Sequence, residues 1–325
     1  MAGFAKSRRR GYSLRMKITS IIIMLCWTPL AFGADQGKLG SAAVQPASVA
    51  SSYVSAQAIH NYARHAKPRL RSHVALVYDE REQQVILQRH AQQVMPVASL
   101  TKLMTAMVVL DGGQALDEVI TITKADKDRI RYSRSRLRNG MQFTRKDLLL
   151  IALAASENRA ALALARTYPG GTQAFVAAMN SKARRLKLSH THYTDPAGLG
   201  NGNVSTAYEL MQIVRSASEY FMIRDFTTQR RDSITNLKTG REVKFGNTNR
   251  LVKRDSWPIS LSKTGFTDDA GNCLVMQTAI NARPVIIVLL DSWGKLSKYG
   301  DSNRIKKWLI KAERRIKKIK LADST

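Results

Sequence analysis

The chain has 325 residues, a length that suits one large domain or two small ones. Lysine and arginine number 52 against 24 aspartate and glutamate residues, so the formal charge is +28. This excess favours a polyanionic partner, whether nucleic acid, anionic lipid or an anionic cell-envelope polymer, and does not choose among them. Two cysteines exclude a disulfide-rich scaffold, and the six histidines fit no zinc pattern, so we expect neither a metal nor a cofactor.

The N-terminal segment predicts export. Residues 1–33 combine a basic leader, a short apolar core and a small-residue cleavage site, which are the parts of a signal peptide. The core is too short for a comfortable membrane span, and an uncleaved anchor is the alternative. We therefore expect a periplasmic protein. Residues 34–70 are rich in alanine, serine and glutamine, and they predict a partly disordered linker with one helix over about 53–65.

Residues 71–320 predict one folded domain, followed by a tail over 321–325. The domain opens on a hairpin with strands over 74–78 and 84–88. A buried helix begins at Ser99, because the apolar run behind it is continuous and stops at a pair of glycines.

The first candidate site is the stretch Pro96-Val97-Ala98-Ser99-Leu100-Thr101-Lys102. Lys102 follows Ser99 by three residues, so both side chains lie on one helical face. A serine hydroxyl needs a base before it attacks a carbonyl, and burial lowers the pKa of a lysine until the lysine can accept that proton. The S-x-x-K pattern recurs at Ser260/Lys263 and Ser292/Lys295, and a capping serine with a surface lysine is the alternative for any single match.

A strand is expected over 118–123, and several arginines follow it in residues 124–145. Two interpretations are open for these arginines: a solvated loop face, which we favour, or a basic rim that binds an anionic substrate. Thr144 and Asp147 match a capping box and begin a helix that is apolar all round and therefore buried.

The second candidate site is Ser156-Glu157-Asn158, between that helix and another buried helix over 160–168. Polar groups in such a place need partners, which a catalytic cleft would provide. Further helices are expected over 172–188 and 206–215, separated by the turn-rich segment Tyr193-Thr194-Asp195-Pro196-Ala197-Gly198-Leu199.

The third candidate site is one of two K-T-G triplets. Lys238-Thr239-Gly240 lies in a turn-like stretch, whereas Lys263-Thr264-Gly265 ends a strand-like run, and we choose the second because a site strand must border the cleft. Apolar strands over 273–280 and 285–291 follow. A basic amphipathic helix over 304–320 is expected to cover the sheet, with a membrane-surface helix as the minority alternative.

The three motifs occur in the order S-x-x-K, S-x-N and K-T-G, and in this order they resemble those of the serine penicillin-recognising enzymes. The resemblance covers about residues 70–310 and is strongest to the D-alanyl-D-alanine carboxypeptidase and endopeptidase family. It implies an α+β, β-lactamase/transpeptidase-like fold: an antiparallel sheet flanked by helices, with a helical subdomain. Glu157 departs from the pattern, because aspartate or glycine is usual there.

Chemistry and resemblance together assign roles to eight residues. We expect Ser99 to be acylated, Lys102 to accept its proton, Ser156 to pass protons between that lysine and the leaving amine, and Asn158 to hold Lys102 and the substrate amide. Four further residues are expected to bind the substrate. Lys263 supplies a fixed charge, Thr264 a hydroxyl and Gly265 a backbone position without a side chain. By resemblance, the backbone amide of Phe266 forms the oxyanion hole together with the amide of Ser99.

The resemblance implies that the substrates are peptidoglycan peptides bearing D-alanine and that β-lactam antibiotics are covalent inhibitors. A class A β-lactamase is disfavoured, because no E-x-x-L-N stretch lies between Asn158 and Lys263. An endopeptidase that cuts cross-links is preferred, with a carboxypeptidase as the alternative. An idle polyanion-binding or cell-wall-binding module is the alternative of another class. Nucleic acid is not expected, because the basic ends lack interleaved aromatic residues, whereas peripheral contact with an anionic envelope surface fits them.

Overall fold

The scaffold is an antiparallel sheet in a computed structural model that describes residues 53–322. The strands are β1 (Ser72–Asp79), β2 (Gln84–Arg89), β3 (Met95–Pro96), β4 (Val119–Thr121), β5 (Gln142–Thr144), β6 (Val204–Ser205), β7 (Arg231–Thr235), β8 (Glu242–Gly246), β9 (Ile259–Thr267), β10 (Gly271–Ile280) and β11 (Arg283–Ser292). The helices are α1 (Ala56–His65), α2 (Lys102–Asp111), α3 (Arg145–Ala154), α4 (Asn158–Arg166), α5 (Gly171–Arg185), α6 (Ala207–Ala217), α7 (Phe221–Thr228) and α8 (Ser297–Ala322).

The main sheet has the strand order β2-β1-β11-β10-β9, and every pairing in it is antiparallel. The strand that carries the third motif, β9, is therefore an edge strand. One side of β9 pairs with β10, in a register that places Gly265 opposite Cys273. The other side of β9 is left to border a cleft.

Both faces of the sheet are buried, which explains why its strands are almost continuously apolar. Side chains alternate between the faces: Val74 and Leu76 of β1 enter one core, whereas Ala75 and Val77 enter the other. The first core contains the helices that follow Ser99, and the second contains α1 and α8. The α+β fold with a flanked antiparallel sheet is confirmed.

The terminal helices form one layer of the domain. In α8, Ile305, Leu309 and Ile316 are buried against the sheet, as expected from the amphipathic pattern. The Trp308 indole donates a hydrogen bond to the Ala66 carbonyl at 2.5 Å, which joins α8 to the end of α1. The helix expected inside the linker is present as α1. Because Ile59 is fully buried there, the packed part of the chain begins before residue 71, the expected domain boundary.

The helical subdomain follows the predicted pattern except in one place. Thr144 and Asp147 form the expected capping box of α3. Thr206 caps α6, and the Glu209 carboxylate accepts hydrogen bonds from the Thr191 hydroxyl and the His190 backbone amide. Helix α7 was not predicted, although its buried Ile223 and Phe226 have helical spacing. This helix packs beside β9, where the Thr227 carbonyl accepts a hydrogen bond from the Ser262 hydroxyl at 3.5 Å.

The predicted signal peptide, the first part of the linker and residues 323–325 lie outside the described residues. Within 53–322, no helix is both long enough and apolar enough to cross a bilayer.

Candidate active site

Ser99 lies in a short 3₁₀ turn, Ala98–Thr101, that continues directly into α2. This turn keeps Ser99 and Lys102 on one face, and the distance from Lys102 Nζ to Ser99 Oγ is 2.9 Å. The same ammonium donates to Asn158 Oδ1 at 2.7 Å and to the Ala197 carbonyl at 2.7 Å. The first two motifs are thus joined at Lys102, as the sequence predicted.

Burial prepares Lys102 to act as a base. Its side chain is 1% exposed, and this desolvation lowers the pKa of Lys102 to about 8, against the opposing influence of Asp195, Glu157 and Asp128. A lysine with this pKa is partly neutral near physiological pH. It can therefore take the proton of the hydroxyl that it touches.

The segment Asp195-Pro196-Ala197-Gly198-Leu199 supplies a contact that the sequence did not reveal. The Asp195 carboxylate accepts hydrogen bonds from the backbone amides of Ala197, Gly198, Leu199 and Gly200 at 2.7–3.2 Å. These bonds fix the Ala197 carbonyl that holds Lys102. A side chain at Gly198 would place its Cβ 1.9 Å from the Ala98 carbonyl oxygen, beside the nucleophile. A backbone acceptor leaves no signature of its own in a sequence.

Ser156 has a left-handed backbone, with φ of 59°, a conformation that costs a non-glycine residue of order 1 kcal/mol or more. Its hydroxyl accepts a hydrogen bond from Lys263 Nζ at 2.8 Å, so Ser156 is held by the third motif. Our sequence expectation placed it between Lys102 and the leaving amine. The structure brings Ser156 into the same cleft but gives it a different lysine as its partner.

The sequence predicts that Lys263 is a fixed cation, but its surroundings in the structure favour the neutral form. It is 1% exposed, and burial, followed by the nearby Lys102 and Lys298, holds the pKa of Lys263 well below its usual range. Lys298 was not identified from the sequence. Its ammonium donates to Asn272 at 3.0 Å, and burial lowers the pKa of Lys298 to about 8.

The arginine-rich segment contributes to the site through two residues. Asn158 Nδ2 donates to Ser133 Oγ at 2.8 Å, which orients the amide so that its oxygen faces Lys102. Arg131 donates to the Leu199 carbonyl at 3.0 Å and forms an ion pair with Asp269, beyond the end of β9. Most of the other arginines in the segment are exposed, so the solvated-face interpretation describes them better.

Strand β9 completes the cleft. The Thr264 hydroxyl is 2.7 Å from that of Thr248, and Phe266 is 60% exposed. A methyl group at Gly265 would lie 3.1 Å from Val97 O and 3.3 Å from Ser99 N, so only glycine lets β9 approach the nucleophile this closely. The resulting cleft has a volume of about 670 Å³ and is lined by Ser99, Ser156, Thr248, Arg250, Thr264, Gly265, Phe266, Asn272, Lys295, Leu296, Lys298 and Tyr299.

The other S-x-x-K matches do not form such pairs. Ser260 is exposed on β9, three residues from Lys263 on an extended strand, and bonds to Gln277. Ser292 is buried, 2.7 Å from Ser72 Oγ, while Lys295 is exposed. Among the three S-x-x-K serines, all of which lie within residues 53–322, only Ser99 has the buried lysine of its own motif beside its hydroxyl and also lines the open cleft. This fold and this site are those of a serine enzyme of the acyl-transferring class, with a lysine at the place where such an enzyme needs a base.

Comparison with known proteins gives the family. Residues 61–294 match the family model described as D-alanyl-D-alanine carboxypeptidase, and the chain belongs to this family of serine peptidases. It is 45% identical to the D-alanyl-D-alanine endopeptidase of Pseudomonas aeruginosa, over 74% of this chain and 77% of that protein. It is 43% identical to the Escherichia coli protein of the same name, over 75% and 79%.

A solved structure gives the same assignment. The DD-transpeptidase of Streptomyces K15 superposes with a TM-score of 0.69 at 28% identity, over 75% of this chain and 98% of that one. The structure thus supports the family resemblance that the three motifs suggested.

Proposed function

We propose that the protein is a D-alanyl-D-alanine endopeptidase that cuts peptide cross-links of peptidoglycan through an acyl-enzyme on Ser99. The observation that carries the proposal is the 2.9 Å contact between Ser99 Oγ and the buried Lys102. Relatives that are 45% and 43% identical bear the endopeptidase name, which favours cross-link cleavage. The family description favours a carboxypeptidase as the second candidate.

The reaction divides into two halves. Neutral Lys102 takes the Ser99 hydroxyl proton as Oγ attacks the carbonyl carbon of the D-alanine residue, and the oxyanion lies against the backbone amides of Ser99 and Phe266. The C–N bond then breaks. Lys102 gives up the proton that it took, and the hydroxyl of Ser156 passes it on to the leaving amine, while the acyl group stays on Ser99 as an ester. Water attacks this ester, returns a proton to Ser99 and releases the acid product.

The remaining site residues bind and orient the substrate. Asn158 holds Lys102 and contacts the substrate amide, and Lys263 with Thr264 binds the carboxylate next to the leaving amine. A bound carboxylate would favour the charged form of Lys263 and so offset the cost of its burial. Gly265 leaves the edge of β9 open for an extended peptide.

Purified cross-linked muropeptide dimers and monomeric pentapeptides separate the two candidate activities. An endopeptidase converts dimers into monomers, whereas a carboxypeptidase releases free D-alanine from pentapeptides, and chromatography of the products distinguishes these outcomes. Ser99→Ala is the control, because it lacks the attacking oxygen. Dimers that persist while D-alanine appears would replace the endopeptidase proposal with the carboxypeptidase one.

We also propose export to the periplasm by a signal peptide over residues 1–33, because the substrate polymer lies there. N-terminal sequencing of the exported protein tests this assignment.

β-Lactams would acylate Ser99 as substrate mimics. The exposed cations of α8, among them Lys307, Lys311 and Lys318, favour peripheral contact with an anionic envelope surface, and salt-sensitive retention on cell-wall sacculi by the Ser99→Ala protein would support it.

A further inference from the structure

The active-site cleft continues beyond the catalytic residues into a second hollow. Beside the 670 Å³ cleft lies a hollow of about 210 Å³ that shares Arg250, Leu296 and Tyr299 with it and extends to Arg254 and Asn303. We call the combined depression the Arg250 groove. Its volume is much larger than a single leaving amino acid requires, since clefts of ~300–1,000 Å³ hold drug-sized ligands.

The groove leaves the cleft on a definite side. Thr264, which we assign to the carboxylate beside the leaving amine, is hydrogen bonded to Thr248, and the Tyr299 hydroxyl donates to the Thr248 carbonyl at 2.9 Å. Arg250 follows Thr248 by two residues. The groove therefore starts where the amine side of a cleaved peptide would leave.

The charge along the groove has one sign. Arg250, Lys295 and Arg254 are all exposed, and within residues 53–322 none of them forms an ion pair. The described residues that line the groove include no carboxylate. By contrast, Arg131 forms an ion pair with Asp269, beyond the end of β9. Unpaired cations along an open groove complement an anionic ligand.

The walls between the cations are apolar. Leu296 is 55% exposed, and the Tyr299 ring lies beside it in both hollows. Such walls suit the methylene chain of a residue that joins two peptides through its side chain, because aliphatic carbons gain from contact with apolar surface. A carboxylate on a residue attached to the far end of that chain would meet the cations.

We infer that the Arg250 groove binds the leaving peptide, and that Arg250 and Lys295 recognise a carboxylate beyond the one nearest the cleaved amide. The inference rests on the proposed function and names the part of the site that would distinguish a cross-linked substrate from a single terminal D-alanine.

Inhibition by product tests the groove without requiring endopeptidase activity. The probe is a stem tetrapeptide carrying the free side-chain amine that cleavage would release, added to the wild-type protein while benzylpenicillin acylates Ser99. We expect the peptide to slow acylation. In Arg250→Ala/Lys295→Ala the inhibition constant should rise about tenfold at low salt, and this difference should shrink in about 0.5 M salt, because both cations are exposed.

The matched control is Lys238→Ala/Arg241→Ala, which removes the same charge from an exposed hairpin turn outside the groove. Its inhibition constant should stay at the wild-type value. No inhibition of the wild-type protein, an unchanged constant in the groove variant, or an equal change in the control would each overturn the inference.

A second readout separates the two proposals. The ratio of kcat/KM for dimers to kcat/KM for pentapeptides should fall about tenfold in the groove variant, because only the dimer has a leaving chain long enough to reach Arg250. If the wild-type protein cleaves no dimer, the endopeptidase proposal fails. The inhibition constants alone then decide whether the groove binds the leaving peptide.

Discussion

The two K-T-G triplets have the same letters in two different environments. Lys263 is 1% exposed and donates to Ser156 inside the cleft, whereas Lys238 is exposed on the β7–β8 turn. Thr264 borders the cleft, whereas the Thr239 hydroxyl accepts a hydrogen bond from the Asn236 amide at 2.8 Å and closes the turn.

The glycines differ in the same way. Gly240 has φ of +70° and open space around it, so its role is to adopt a backbone conformation that other residues avoid. Gly265 lies in an extended strand, and glycine is needed there because a side chain would press against Val97 and Ser99. The same three residue types therefore differ in chemistry according to the element that carries them. The strand triplet borders the cleft next to Ser99, whereas the turn triplet lies on an exposed hairpin.

Removing the two lysines should give the largest contrast. We expect Lys263→Ala to lower the second-order rate constant for acylation by benzylpenicillin by roughly 10²-fold or more, because a charge-assisted contact to the substrate carboxylate is lost. Lys238→Ala should react at the wild-type rate. Thermal unfolding of both variants shows whether they are folded. Equal acylation rates in the two variants would contradict the claim that only the triplet at Lys263 belongs to the site.

The pH dependence of acylation should report the buried lysines and not the exposed one. Lys102 must be neutral to accept the serine proton, so the rate constant should rise about tenfold per pH unit below the pKa of about 8 and then level off. Because the pKa of Lys263 is also lowered, a decline at high pH should begin earlier than for an ordinary lysine.

Lys238→Ala should keep the whole pH profile. A wild-type rate that does not change between about pH 6 and 8 would contradict the role of Lys102 as the base.

Substitution of each glycine by alanine should affect a different property: Gly265→Ala the acylation rate and Gly240→Ala the thermal stability. In Gly265→Ala the new methyl group meets Val97 O at 3.1 Å and forces β9 away from Ser99 by a few tenths of an ångström, so we expect acylation to slow about tenfold. In Gly240→Ala the strain is conformational, about 1 kcal/mol, which lowers Tm by about 2–4 °C without changing acylation. The reverse pattern would show that the strand triplet does not need the close approach.

Ser133 should show the smallest effect. It accepts the Asn158 amide proton and so positions the oxygen that holds Lys102. Loss of one such hydrogen bond is worth about 1 kcal/mol, so Ser133→Ala should slow acylation about fivefold. As a positioning residue it should also shift the pH midpoint of acylation, and Ser133→Thr should restore it. A slower rate with an unchanged midpoint would assign Ser133 a structural role only.

Patterns that repeat along the chain could be predicted from the sequence. The apolar strands β1 and β11, the capping box at Thr144 and the amphipathic face of α8 are local patterns, and each was predicted correctly. The eight candidate site residues could be named because the order of the motifs is specific and because buried polar residues need partners, and their catalytic roles stay predictions.

What could not be predicted depends on contacts between distant segments. The Ala197 carbonyl holds Lys102 from 95 residues away, and Ser156 pairs with Lys263 across 107 residues. Helix α7 was missed because it is short, and the packing of α1 was missed because its surroundings are compositionally like a linker.

Intact mass spectrometry of the protein with benzylpenicillin tests the acyl-enzyme most directly, with Ser99→Ala measured in parallel. We expect one penicilloyl adduct on the wild-type protein, mapped by proteolysis to the peptide that contains Ser99, and no adduct on the variant. An adduct on Ser99→Ala, or one that maps to Ser156, Ser260 or Ser292, would contradict this expectation.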